Sequence, residues 1–422
     1  MMKYVSVLTG LLISLGGQAS LGAPPVVAHS SEFTQHLLVN LPAGSHDPAA
    51  EYSLVDFDHA AVRLPTQRIH AVDAAGRVVP SSYRLVASIP GSGQDGAARS
   101  FRLEKGAEGE QTPAFTFEEQ ELCLELREFQ AERSQSRPVW RYNQRTIVDK
   151  SVPESDHRRS RGCYLHPVWG MHGEIISDDF PRDHYHHHGI FWTWPYVKVE
   201  EQTYDLWMSS DIQQRFVKWL SREAGPVAAV MGVENGWFVG DKQVATERVW
   251  VRTYRSEPDC RAFDITLYIA AADEPVTLQG RQMKSYGGLT FRYDVSPRKD
   301  ATVRVPGTVL GHGSPAQSGN PDLLNTPLPW ADLTTQIPGA PRRSGAAVFI
   351  HPRHPDYPPT WLTRTYGVLC VGWPGIESHT IKPGKPIRLD YRIWVHGEEL
   401  DPDQLDRRYQ TYCQSRRTES SD

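Results

Sequence analysis

The 422-residue sequence has no surplus of either charge: 45 Lys and Arg stand against 50 Asp and Glu, a formal charge of −5. Nucleic acids and anionic membrane surfaces draw proteins through a basic footprint, so neither is an expected partner. Five cysteines occur, Cys123, Cys163, Cys260, Cys370 and Cys413, but none in C-x-x-C spacing, which removes a zinc ribbon and a thioredoxin-like motif. A G-x-S-x-G elbow, a Walker sequence and an H-E-x-x-H pair are also missing. "GSGQDG" at 91–96 has the letters of a dinucleotide fingerprint, yet the strand-like "SFRLEKG" follows where that motif needs a helix N-terminus, so it reads as a loop. "GHGS" at 311–314 reads as a glycine-rich loop for the same want of context. Long helices are disfavoured because 32 prolines and 33 glycines are spread along the chain.

A long apolar run is scarce as well. The best one, "VSVLTGLLISLGG" after Lys3, falls short of the roughly 20 residues that span a bilayer, and the small-residue stretch "QASLGAPP" follows it. That layout predicts a signal peptide over residues 1–23, cleaved after Ala19 or Ala23, and a mature protein that is secreted or periplasmic with no membrane span. Disulfides are permitted there, although an odd cysteine count leaves at least one thiol unpaired within the chain. Cys123 in "ELCLEL" and Cys370 in "GVLCVGW" read as buried thiols in strands.

What the chain does have is a period of two. "ELCLELREF", "ERVWVRTYR", "RAFDITLYIAA" and "IRLDYRIWV" alternate β-branched, aromatic and polar residues between turn-rich joints, which predicts an all-β, mostly antiparallel fold. A C-terminal helix is expected where Asp401 can cap, Pro402 suits the first helical position and "DQLDRRYQTYCQ" follows. "SDIQQRFVKWLSRE" is a weaker helix candidate. Residues 30–135 read as an N-terminal β-rich region, with a soft boundary near 135 before a stretch denser in aromatics and histidines.

The segment "DHYHHHGIFWTW", residues 183–194, concentrates four of the 17 histidines. Run as one strand, it places His184, His186 and His188 on the face shared by Trp192 and Trp194, and turns His187 away. Gly189 breaking that strand, with the tryptophans in the core, is the structural alternative. Three uses of the imidazoles compete: His184 and His186 as ligands of a divalent metal, with Asp183 behind them; one imidazole as a general acid or base whose tautomer Asp183 holds; or hydrogen bonding to a polyol without chemistry.

Residues 161–194, "RGCYLHPVWGMHGEIISDDFPRDHYHHHGIFWTW", resemble the signature region of the bacterial PmoA-like family, a secreted domain of unknown function found among polysaccharide-degrading bacteria. Arg161, Tyr164, His166, Asp178, Asp179, Asp183, His184, His186, His187 and Gly189 fall on its pattern. So do His351, Trp361, Arg364, Tyr366 and Gly367 in "VFIHPRHPDYPPTWLTRTYG". The resemblance covers residues 136–416 and implies a β-sandwich, with the mutarotase-like supersandwich as one form, and a sugar-related role. Cys163 and His188 depart from the family's usual glycine and arginine. The methane oxidation suggested by the family's name is rejected, because the mature chain offers no spanning segment.

Other residues are drawn to the site from distant strands. Arg364 and Tyr366 share parity, and Arg364 suits a substrate carboxylate. His351 and His166 each end a strand. Glu247 is the best isolated carboxylate for a base, although it reads more readily as an outward strand residue, and Asp178 and Asp179 read equally as turn formers. The expected function is a carbohydrate-active lyase, hydrolase or epimerase, with His184, His186, Asp183, His351, Arg364 and Tyr366 in the chemistry and His166, His187, Trp192, Trp194 and Trp361 in substrate binding. A glycan-binding protein without catalysis and a metal-dependent oxidoreductase are the alternatives.

Overall fold

Alternating side chains need two faces to bury, and the chain supplies them as strands: 55% of the structure is strand and 5% helix. The computed structural model describes residues 26–29, 31–41, 51–92, 99–106, 112–130, 135–296, 301–311 and 322–417. The predicted leader, most of "GSGQDG" and all but the first residue of "GHGS" lie outside them.

Two nine-stranded antiparallel sheets dominate. The first runs in the order Thr326–Pro327, Thr360–Arg364, Val368–Gly372, Gly288–Arg292, Ile190–Thr193, Tyr164–Val168, Gln135–Asn143, Leu124–Gln130, Phe115–Glu119. The second runs Gln213–Ala224, Ala228–Val239, Lys242–Tyr254, Cys260–Ala271, Ile387–His396, Ser344–Ile350, Trp330–Thr335, Thr302–Val305, Thr308–Gly311. Their inner faces meet in one apolar core, to which the first sheet sends Trp140, Ile190, Trp192, Phe291 and Val371 and the second sends Met231, Val249, Phe263, Ile265 and Ile393. This is a sandwich in which period-two patterning decides which residues go inside.

The outer face of the second sheet is covered twice. A six-stranded sheet built from residues 26–105 lays Leu38, Ile69 and Val86 over Val230 and Trp250. The C-terminal helix, Pro402–Arg417, packs Leu405, Tyr409 and Tyr412 against the same layer beside Phe349 and Trp394. Its start follows the expected capping: Gln404 N–H donates to Asp401 Oδ1 at 2.8 Å while Asp401 N–H donates to Gln404 Oε1 at 2.9 Å. No helix among the described residues is long and apolar enough to cross a membrane.

Two expectations change. The weaker helix candidate is the edge strand Gln213–Ala224, paired along its length with Ala228–Val239. Pairing partners override a composition that suits either state. The division between sheets also falls earlier than residue 135, because Phe115–Glu119 and Leu124–Gln130 already belong to the first sandwich sheet. All five cysteines are buried free thiols.

Candidate active site

The histidine segment is a double turn rather than a strand. His184 N–H donates to Pro181 C=O at 2.8 Å and His187 N–H to His184 C=O at 2.9 Å, so regular pairing begins only at Ile190. The reason sits in Gly189: a Cβ there would meet Leu165 C=O at 2.1 Å, so the chain passes the neighbouring strand at a distance only glycine allows. Residues i and i+3 at the ends of a turn come close. His184 and His187 accordingly stack, centroids 4.6 Å apart and 13° from parallel. Tyr366 stacks on the other side of His184 at 5.2 Å and 8°, and His186 stands edge-on to His187 at 4.8 Å. The expected separation of His187 from His184 and His186 is therefore wrong; all three line one cavity of about 290 Å³.

The cavity rests on the outer face of the first sheet. Strand parity places Phe191, Leu362, Val368 and Cys370 outward beneath it and Trp192, Trp361, Leu369 and Val371 inward. Trp207 and Tyr286 form one wall, rings 4.8 Å apart. Lys284 and Arg364 supply positive charge, and no Asp or Glu is among the lining residues. The Nδ1 atoms of His186 and His187 are buried without a hydrogen-bond partner among the described residues. Burial, with the neighbouring His186 and His184 imidazoles adding to it, drives the His187 pKa well down, and burial with the neighbouring His184 lowers His186 to about 3. Both rings are neutral at pH 7. Burial raises the Tyr366 and Tyr286 phenols, keeping them protonated.

Behind His184 lies an ionic support. Asp183 Oδ2 is 3.2 Å from His184 Nδ1, and Asp183 Oδ1 accepts from Arg292 Nη2 at 3.0 Å. Partial burial pushes the Asp183 carboxyl up, but Arg292 and His184 outweigh it and hold it below the usual value. Arg292, almost fully buried, also donates Nε to Asp178 Oδ2 at 3.4 Å and sits 5.4 Å over the Tyr366 ring. Asp178 and Asp179 are more than turn formers. Burial raises both to about 6, and Asp179 accepts from the Tyr164 hydroxyl at 2.8 Å and contacts His188 Nδ1 at 2.8 Å.

Several expected site residues lie elsewhere. Trp192, Trp194 and Trp361 are wholly buried in the sandwich core, with the Trp194 and Trp361 indoles donating to Trp373 C=O and Leu328 C=O, so none faces a ligand. The continuous strand that would have exposed the first two does not exist. His351 lies against Tyr412 of the C-terminal helix, its Nδ1 accepting from Arg353 N–H at 2.9 Å, away from the cavity. His166 is tucked against Ser177 Oγ at 2.9 Å behind the turn. Glu247 points inward instead of outward, accepting from Gln214, Asn235 and Trp237 in the core. Among the described residues no three His, Cys, Asp or Glu side chains converge as around a metal ion, so His184 and His186 lack the third protein ligand a catalytic zinc takes.

Sequence reasoning missed Trp207, Lys284, Tyr286 and Arg292. Lys284 and Tyr286 carried a readable signal: "GRQMKSYGG" is a glycine-bracketed loop with cationic and aromatic residues, the composition of a ligand-contacting segment.

Residues 131–410 match the profile of DUF6807, described as a family of unknown function. The chain belongs to DUF6807. The matched span contains the whole cavity and its ionic support. No curated protein matches this DUF6807 chain.

Proposed function

We propose that this cavity removes the proton next to the carboxylate of an acidic sugar, making the chain a glycan lyase or epimerase. The observation that carries the reading is a cavity lined by three histidines, two tyrosines, Arg364 and Lys284 with no carboxylate among them. A glycosidase needs a carboxylate pair flanking the scissile bond, so hydrolysis fits this lining less well. A uronate carboxylate suits Arg364 and Lys284, and neutralising it lowers the cost of carbanion-like charge on the adjacent carbon.

His184 takes that proton, and Asp183 stabilises the imidazolium that forms. The C–H electron pair becomes a C=C bond, and the C–O bond across from it breaks with its electrons. Tyr366, kept protonated by burial, gives the departing oxygen its proton. Epimerisation uses the same first step, with the proton returned to the opposite face. His186 and His187, held neutral, hydrogen-bond hydroxyl groups, and Trp207 and Tyr286 flank the ring. The PmoA-like resemblance supports a polysaccharide context, and the leader over residues 1–23 supports action outside the cytoplasm.

The test is incubation of the purified protein with polyuronides in D₂O. Deuterium entering the substrate, with or without an unsaturated product absorbing in the ultraviolet, is expected, and His184→Gln should lower it by at least about 100-fold, the lower bound for a general base. No exchange with any acidic glycan, alongside measurable binding, would instead make the cavity a glycan-binding site.

A further inference from the structure

A second cavity, of about 220 Å³, lies on the opposite side of the sandwich, at the seam between the N-terminal sheet and the outer face of the second nine-stranded sheet. Its polar wall is His70, Asp73 and Arg84 from the N-terminal sheet and Arg252 and Arg388 from the sandwich, with Tyr268 beside them. The one carboxylate is already engaged: Asp73 accepts from the backbone N–H of Ala75 and Arg77 at 2.8 and 2.9 Å and from Arg77 Nε at 2.8 Å. Arg388 donates to Asp390, which lies behind the wall, at 2.7 and 3.0 Å.

Arg252 is different. Its only hydrogen bond is a long one of 3.4 Å to the Tyr254 hydroxyl, and its Nε is buried without an acceptor. It pairs with no carboxylate among the described residues. A guanidinium carries five donors and is always charged, so leaving it half-buried and unpaired beside two more guanidinium groups is costly unless an anion completes the set.

We propose that this seam cavity binds a compact anion, a carboxylate, phosphate or sulfate group, through Arg252, Arg84 and Arg388, with any ring of the ligand lying against Tyr268. A space of about 220 Å³ has room for several water molecules and so for a single small acid. The site is independent of the histidine cavity and of the reaction proposed for it. Because its two walls come from the N-terminal sheet and the sandwich, an occupant would also tie these parts together.

Calorimetric titration of the full chain with inorganic phosphate and sulfate tests this, with glucuronate titrated into an Arg364→Gln variant so that the histidine cavity does not contribute. Saturable binding of at least one probe is expected, weakened at least about tenfold by Arg252→Gln, as loss of charge-assisted hydrogen bonds implies. Should that variant fail to fold, Arg252→Lys is read instead. It keeps the charge and loses the fork, and several-fold weaker binding is expected. Absence of binding by all three anions, or binding that the Arg252 substitution leaves unchanged, overturns the proposal.

Discussion

At the scale of single residues, the two aromatic types in the 183–194 stretch separate cleanly by what surrounds them. The imidazoles of His184, His186 and His187 face a cavity, whereas Trp192 and Trp194 fill the core. Trp192→Ala should therefore lower stability by about 3–5 kcal/mol in a denaturant titration, the range for emptying a core aromatic site. His187→Ala should weaken ligand binding, measured by calorimetric titration with an acidic oligosaccharide. The histidines also set a pH dependence. His186 is lowered to about 3 and buried His354 to about 4, while the unfolded chain takes up these protons near the ordinary histidine value of 6.5. The unfolded state thus binds more protons between those limits, and stability falls as pH drops below about 6.5. A thermal midpoint that declines from pH 7 to 4, with a shallower slope in His186→Gln, is the expected result. Residue chemistry was legible where it concerned type: the imidazole cluster, Arg364 and Tyr366 were all singled out by sequence and do line one cavity. Orientation was not, because it was read from a strand period that the segment does not obey.

At the scale of elements, turns and caps decide more than propensity does. The double turn over 181–187 brings His184 and His187 together, and the close pass at Gly189 ends it. Gly189→Ala should cost about 1–3 kcal/mol, as overpacking does, and should disturb ligand binding at the histidine cavity together with stability. A variant with unchanged stability and binding would mean that the strand Tyr164–Val168 yields easily. At the other end of the chain, Asp401→Ala should cost about 0.5–2 kcal/mol by removing the helix cap. That helix could be read because its signals are local: cap, proline and a reciprocal glutamine lie within four residues. The edge strand Gln213–Ala224 could not, since its hairpin pairing with Ala228–Val239, and not its own composition, makes it a strand. Glu247 was misread for a related reason. Parity says which residues share a face, but the partners that make a buried carboxylate tolerable, Gln214, Asn235 and Trp237, lie 10 to 33 residues away.

At the scale of the whole molecule, the two large sheets are assembled from pieces of chain that interleave. The first takes strands from residues 115–168, then 190–193, 288–292, 326–327 and 360–372; the second takes 213–271, 302–311, 330–350 and finally 387–396. The class of architecture was legible because alternation repeats in nearly every strand, while the strand order was not, since it depends on pairings as distant as Cys260 with His396. The last strand, Ile387–His396, lies in the middle of its sheet, paired with Cys260–Ala271 on one side and Ser344–Ile350 on the other. During synthesis on the ribosome that slot stays vacant until residues 387–396 have emerged, so two strand edges wait unpaired while earlier segments are already exposed. Assembly of the sandwich then waits for that strand, slow because its contacts are distant in sequence and vulnerable to aggregation in the interval. A chain stopped after Lys385 should accordingly show no cooperative unfolding transition and should bind holdase chaperones in a synthesis reaction, whereas one stopped just after the helix should be released folded.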